Sequence, residues 1–239
     1  MKKNYQVAAG LFALALIFVL LVTSIDFHAF NKSYYKEQYT KLHTAESLGM
    51  SDEDLFAATD ALLDYLHDER EDIVVQGEVF GQPRAIFTER ETLHMVDVKN
   101  LYQNVLTARN VSTIIGIAAF AYLIYRSRKD ENGVVTLMCQ LATSFIQISL
   151  CLLIAVGMLA GYALMDFTSF WIGFHELFFT NDLWQLNPAT SIMINMFPET
   201  FFAGMVFRIT LTFIVVYVLL LVGFIFLRKK AKIKVDKKI

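Results

Sequence analysis

Residues 132–165 carry no charged side chain over 34 consecutive positions, and that run limits the fold more than any other feature. As a helix it would extend about 51 Å at about 1.5 Å per residue, against roughly 30 Å of bilayer hydrocarbon. It is too long for one upright crossing and too short for two crossings and a turn. The sequence therefore predicts a single tilted helix with protruding ends. Three more apolar stretches accompany it, at residues 5–25, 110–125 and 209–227. Hydrophobic residues reach 56% and charged residues only 18%, where a soluble domain holds roughly 45–50% and about 25%. A 27.3 kDa chain with mean hydropathy +0.47 cannot bury that much apolar surface in one aqueous core. Disordered, collagen-like and disulfide-stapled secreted chains are excluded by the same composition. The expected fold is a membrane protein, mainly α: four transmembrane helices, a small α+β extracytoplasmic cap and an interfacial aromatic segment.

Charge sets the orientation. Lys2 and Lys3 precede the first span as in a signal peptide, but no A-x-A-like site follows its core, so an uncleaved anchor is expected. Lys2, Lys3, Arg126, Arg128, Lys129 and seven basic residues of the tail fall at ends placed on one side, which the positive-inside rule makes cytoplasmic. Residues 26–110 hold 8 Lys and Arg against 16 Asp and Glu, a net charge of −8, and lie opposite. The expected organisation is a cytoplasmic start and first span (1–25), an extracytoplasmic cap leading into the second span (26–110), and that span (111–125). A cytoplasmic loop (126–133), a third span (134–165) and an outer interfacial aromatic segment (166–207) follow, then a fourth span (208–227) and a basic cytoplasmic tail (228–239). The chain is placed in the plasma membrane with both termini inside. The tail reads as a topology and anionic-lipid anchor rather than a nucleic-acid site.

Within the cap, Ser51 followed by Asp52, Glu53 and Asp54 signals a helix N-terminus, and Leu55, Leu62, Leu63 and Leu66 form a helical stripe after it. Residues 73–80 alternate like a strand, and Gly81 to Pro83 punctuate it before a second short run, which suggests a hairpin. Thr88 and Glu91 form a capping box. The helix they start would carry His94 and Asp97 on one face and continue into the second span. Residues 166–208 are dense in Phe and Trp, which suits a membrane interface, yet His175, Glu176 and Asp182 sit among the rings. Pro188 and Pro198 should restrict this stretch to short surface helices.

Little chemistry is announced by motif. Cys139 and Cys151 both lie in the third span, which leaves no outer cysteine nucleophile. His28 and His43 read as solvated surface residues. His67 and Asp72 match an H-x4-D acyltransferase pattern, read as chance at the end of an acidic helix. His175 and Glu176 begin an H-E-x-x-H zinc motif, but position 179 is Phe. No nucleophile elbow, phosphate loop or dinucleotide fingerprint is present. An enzyme here would work without cofactor or metal, through imidazoles that exchange protons near neutral pH. Buried structural histidines are the competing reading. So is a non-catalytic sensor or chaperone-like subunit whose cap binds a partner. A transporter is disfavoured by spans without central charges.

Two stretches resemble a known family. Residues 91–99, ETLHMVDVK, resemble its E-x-x-H-M-x-D-V-K block, and residues 174–188, FHELFFTNDLWQLNP, followed by MFPETFF at 196–202, resemble its second. The family is the lipoprotein intramolecular transacylases of low-GC Gram-positive bacteria, four-span integral membrane proteins. The resemblance implies an S-diacylglyceryl lipoprotein substrate on the outer leaflet, whose sn-2 acyl chain moves to the α-amine of its N-terminal Cys to give the lyso-form. Under it, His94 and His175 are the expected catalytic acid/base pair. Asp97, Lys99, Asn181 and Trp184 are expected to orient them or stabilise an oxyanion. Phe174, Phe178, Phe179 and Asp182 are expected at the acyl-chain groove. Where Ser191 stands the resemblance leads to an acidic residue, a departure that leaves that position without an assigned role.

Overall fold

The computed structural model describes residues 2–236; Lys237 and Lys238 of the basic tail lie outside them. In chain order the elements are α1 (Lys2–Ala29), α2 (Lys32–Leu42), α3 (Thr44–Ser47), α4 (Asp52–Leu66), β1 (Gln76–Val79), β2 (Gln82–Ala85) and α5 (Glu89–Ser127). They continue with α6 (Gly133–Met165), α7 (Phe167–Phe178), α8 (Ile192–Met196) and α9 (Glu199–Asp236). Four of these helices, α1, α5, α6 and α9, are long and apolar enough to cross a membrane. The chain divides into two compact units. One draws on residues 1–25, 107–162 and 209–239, the other on 26–106 and 163–208.

The first unit is built around α1. Tyr5, Ala8 and Ala9 pack with Leu123 and Leu141, while Ala13 and Ile17 pack with Phe145, Phe213 and Tyr217. The small alanines let helices approach closely, as membrane packing favours. A Cβ on Gly116 would stand only 3.2 Å from that of Ala15. Tyr5 hydroxyl donates to Asp130 Oδ2 at 2.8 Å, and Tyr217 hydroxyl to the Ser149 carbonyl at 3.0 Å. Ile114, Ile117, Leu150, Leu159, Leu219 and Phe226 face outward, which is stable only where hydrocarbon replaces water. The uncharged run is a single helix, α6, as expected from its length. Cys139 and Cys151 are both free on it.

The second unit follows its local signals closely. Ser51 caps α4 by accepting from Asp54 N–H at 3.0 Å, and Leu55, Leu62 and Leu63 are buried. Glu91 Oε2 accepts from Thr88 N–H at 2.6 Å, and α5 then runs unbroken for 39 residues. The hairpin forms, but shorter than the alternation suggests. The paired strands run only from Gln76 with Ala85 to Val79 with Gln82; one further backbone bond joins Ile86 N–H to the Val75 carbonyl at 2.9 Å, and Ile86 and Phe87 are buried. Its turn is at Phe80 and Gly81, both with positive φ, so Gln82 and Pro83 belong to β2 rather than to the turn.

Pro198 separates α8 from α9, so no helix runs through it, as expected. It directly precedes Glu199, the first residue of α9, where a fixed φ and a missing N–H cost nothing. The fourth long helix thus begins nine residues before position 208. Phe201 is 1% exposed and packs against Tyr34, Tyr35 and Tyr39. Part of the expected aromatic belt is therefore interior packing.

Candidate active site

The second unit contains an open cavity of about 750 Å³ whose walls come from α2, α4, α5, α7, the loop after it, α8 and the start of α9. The sequence builds each wall locally. In α5, His94, Met95 and Val98 follow Glu91 at three, four and seven residues, one helical face, and all three line the cavity. In α7, Asp166 caps the helix through Ser169 N–H at 3.0 Å, and Trp171, Phe174 and His175 share the inner face.

His94 and His175 are both buried, each with 8% exposure, and their ring centroids lie 6.2 Å apart. His175 Nδ1 is 2.7 Å from the Trp171 carbonyl. A carbonyl only accepts, so that nitrogen carries the proton and Nε2 holds the lone pair. Trp184 stacks on the imidazole at 4.9 Å and Trp171 meets it edge-on at 4.8 Å. Nδ1 of His94 is buried and has no hydrogen-bond partner among the described residues. Phe179 packs edge-on against the His94 ring at 5.4 Å.

Burial pushes both imidazoles below the ordinary histidine range. His94 falls to about 4, through burial first and the neighbouring His175 second, with Asp97 opposing. His175 is lowered by burial against the opposing bond to Trp171. Both lie outside the apolar stretches of the long helices. At neutral pH the cavity holds two uncharged, proton-accepting rings.

The other expected site residues divide. Trp184, Phe174 and Phe179 line the cavity, whereas Phe178 is not part of its wall. Asp97 accepts from Asn181 Nδ2 at 2.8 Å and so ties the loop after α7 to α5; no hydrogen bond joins it to His94. Lys99 is engaged elsewhere, 2.7 Å from Asp68 and over the Tyr65 ring. Asp182 pairs with Arg90 at 3.4 Å, and Arg90 also donates to its carbonyl. The H-x4-D residues part company: His67 stacks on Phe30 and meets Tyr102, while Asp72 accepts from Val74 N–H. His43 is solvated, with a side chain 78% exposed; His28 is half-buried instead, edge-on to Phe27. No three His, Cys, Asp or Glu side chains converge to hold a metal ion among the described residues.

Glu91 has a role that its capping box only partly foretold. It is fully buried, and beyond Thr88 it accepts from Ser191 Oγ at 2.6 Å and Met193 N–H at 2.8 Å. One carboxylate therefore joins the start of the His94 helix to α8. Ser191 gains a place as well: it donates to Glu91 and caps α8 through Ile194 N–H. An acid at that position would face the buried carboxylate of Glu91.

The family model described as Lit, lipoprotein intramolecular transacylase, matches residues 10–202. No curated protein sequence gives a match. Among solved structures, the in meso structure of the membrane integral lipoprotein intramolecular transacylase Lit from Bacillus cereus is similar over 100% of this chain and 99% of its own, with TM-score 0.68 and 19% identity. Two variants of that protein with one histidine replaced, by arginine or by alanine, give TM-scores of 0.66 and 0.63. Both are 19% identical and cover 98% of this chain, with 95% and 94% of their own. At this identity the likeness concerns the fold.

Proposed function

Because the chain belongs to the Lit family of lipoprotein intramolecular transacylases, we propose that it moves the sn-2 acyl chain of an S-diacylglyceryl lipoprotein to the α-amine of the same N-terminal Cys. The product is an N-acyl, S-monoacylglyceryl lipoprotein. The carrying observation is the pair of buried imidazoles, ring centroids 6.2 Å apart, that line one largely apolar cavity.

The reaction needs only proton transfers. An α-amine has a pKa of about 7.7–8.0, so part of it is unprotonated near neutral pH, and a neutral imidazole takes one proton from that amine as its nitrogen attacks the ester carbonyl. The N–C bond forms, the carbonyl oxygen becomes an oxyanion, and the proton resides on imidazole. Collapse breaks the bond to the glyceryl oxygen, which takes the proton and leaves as a hydroxyl. Ester becomes amide, a downhill exchange that needs no nucleotide, metal or acyl carrier. We assign the base to Nε2 of His175, whose tautomer the Trp171 carbonyl holds, and the substrate-facing partner to His94. The Trp184 indole N–H is the candidate oxyanion donor. Phe174, Phe179 and Phe202 in the wall suit an acyl chain. The site is assigned to the extracytoplasmic face, with both termini cytoplasmic, from the charge asymmetry of the chain.

The test is expression in a host that makes only diacylglyceryl lipoproteins, with mass spectrometry of the N-terminal lipopeptide. Wild type should yield the N-acyl, S-monoacylglyceryl form, and His94→Ala or His175→Ala should not. An unchanged lipid form with well-expressed wild type overturns the reading.

A further inference from the structure

A transacylase in a bilayer is surrounded by phospholipids that carry the same sn-2 ester as its lipoprotein substrate. The cavity wall contains two carboxylates, Glu176 and Glu199, and neither lysine nor arginine. Glu199 is held by the Thr168 hydroxyl, 2.8 and 2.9 Å from its two oxygens. Glu176 is exposed. Two basic side chains of α5 are committed elsewhere, Arg90 to Asp182 and Lys99 to Asp68. Beside the acids, the two buried imidazoles of His94 and His175 line the same cavity, their ring centroids 6.2 Å apart.

Resting on the transacylase reading, we infer that Glu176 and Glu199 select the substrate by charge, attracting the ammonium of the diacylglyceryl lipopeptide and repelling the phosphate of phospholipids. The two lipids share their acyl esters and differ where the headgroup begins. One presents a cationic amine three bonds from a neutral thioether, the other a phosphodiester anion. A carboxylate forms a charge-assisted hydrogen bond with the first, and like charge disfavours the second. With the imidazoles neutral, nothing in the wall offsets the two acids. The ammonium docks at a carboxylate, loses one proton to solvent to become the neutral amine, and gives a second to imidazole as it attacks.

Both tryptophans of the chain, Trp171 and Trp184, line this cavity, so their fluorescence reports its occupancy without requiring turnover. Purified protein in phosphatidylcholine vesicles is titrated with three brominated probes: a diacylglyceryl-cysteine peptide with a free amine, its N-acetyl form, and phosphatidylglycerol. Wild type should be quenched by the free-amine peptide at concentrations about tenfold below phosphatidylglycerol, with the N-acetyl form between. Glu176→Gln with Glu199→Gln should shrink that ratio to about twofold, and the exposed Glu176→Lys should favour phosphatidylglycerol. Equal quenching by all three probes, or a preference unmoved by either variant, overturns the inference. Selective binding that depends on the two acids, without any N-acyl product, supports the inference and overturns the reaction instead.

Discussion

Ser191 Oγ donates to Glu91 Oε1 across 2.6 Å, and both residues are buried. The two residues are 100 positions apart in the chain. Glu91 accepts four hydrogen bonds in all, so its loss strands several buried donors at about 1–3 kcal/mol each. Glu91→Ala should lower stability by about 3 kcal/mol or more in thermal unfolding in detergent, while Ser191→Ala should cost about 1 kcal/mol. Ser191→Asp should cost more than Ser191→Ala, because it sets a second negative charge at hydrogen-bond distance from a buried one.

Stability should fall in mild acid through the two buried imidazoles. Both are depressed below the unfolded value of 6.5, His94 to about 4. Above 6.5 they are neutral folded or unfolded. As pH drops through 6.5 the unfolded chain gains protons that the folded chain refuses, and the loss grows until about 4. Unfolding temperature measured at pH 7.5 and 5 should show this drop, and His94→Phe should reduce it.

His175 offers a test of which nitrogen works. His175→Asn can still donate to the Trp171 carbonyl in the place of Nδ1, but has no group at Nε2. It should fold with wild-type stability to within about 1 kcal/mol and lose N-acyl product formation by about 10²–10⁴-fold. The lipopeptide assay by mass spectrometry reads the rate. A fast His175→Asn enzyme removes His175 from the role of base.

The loop after α7 is tied to α5 through Asn181 as well as through Asp182 and Arg90. Asn181→Leu removes the bond to Asp97, worth about 1 kcal/mol, from the segment that carries Trp184 onto His175. Hydrogen exchange at residues 180–187 should rise about fivefold, while exchange in α4 stays unchanged.

Gly204 faces the Tyr34 hydroxyl so closely that a Cβ there would lie 2.5 Å from it. Gly204→Val should displace Tyr34 from the Phe201 carbonyl and lower the unfolding temperature by several degrees, corresponding to about 1–3 kcal/mol. Tyr34→Phe combined with Gly204→Ala should recover much of that loss.

The amino-acid sequence by itself determined the solvent, the number of long apolar helices and the starts of α4 and α5. Hydropathy runs and caps act over a few residues, and nothing distant competes with them. It also singled out His94 and His175, through blocks read against a family. Only the tertiary structure decided whom these residues meet. Asp97 and Asn181 are 84 positions apart and chose each other rather than His94 and an oxyanion. Lys99 went to Asp68, and Glu91, legible as a local cap, reached α8 102 positions away. Such pairings are set when helices pack and every buried polar group must find a partner, a condition no local periodicity encodes. The cavity, with its two acids and two imidazoles, is the remainder of that packing.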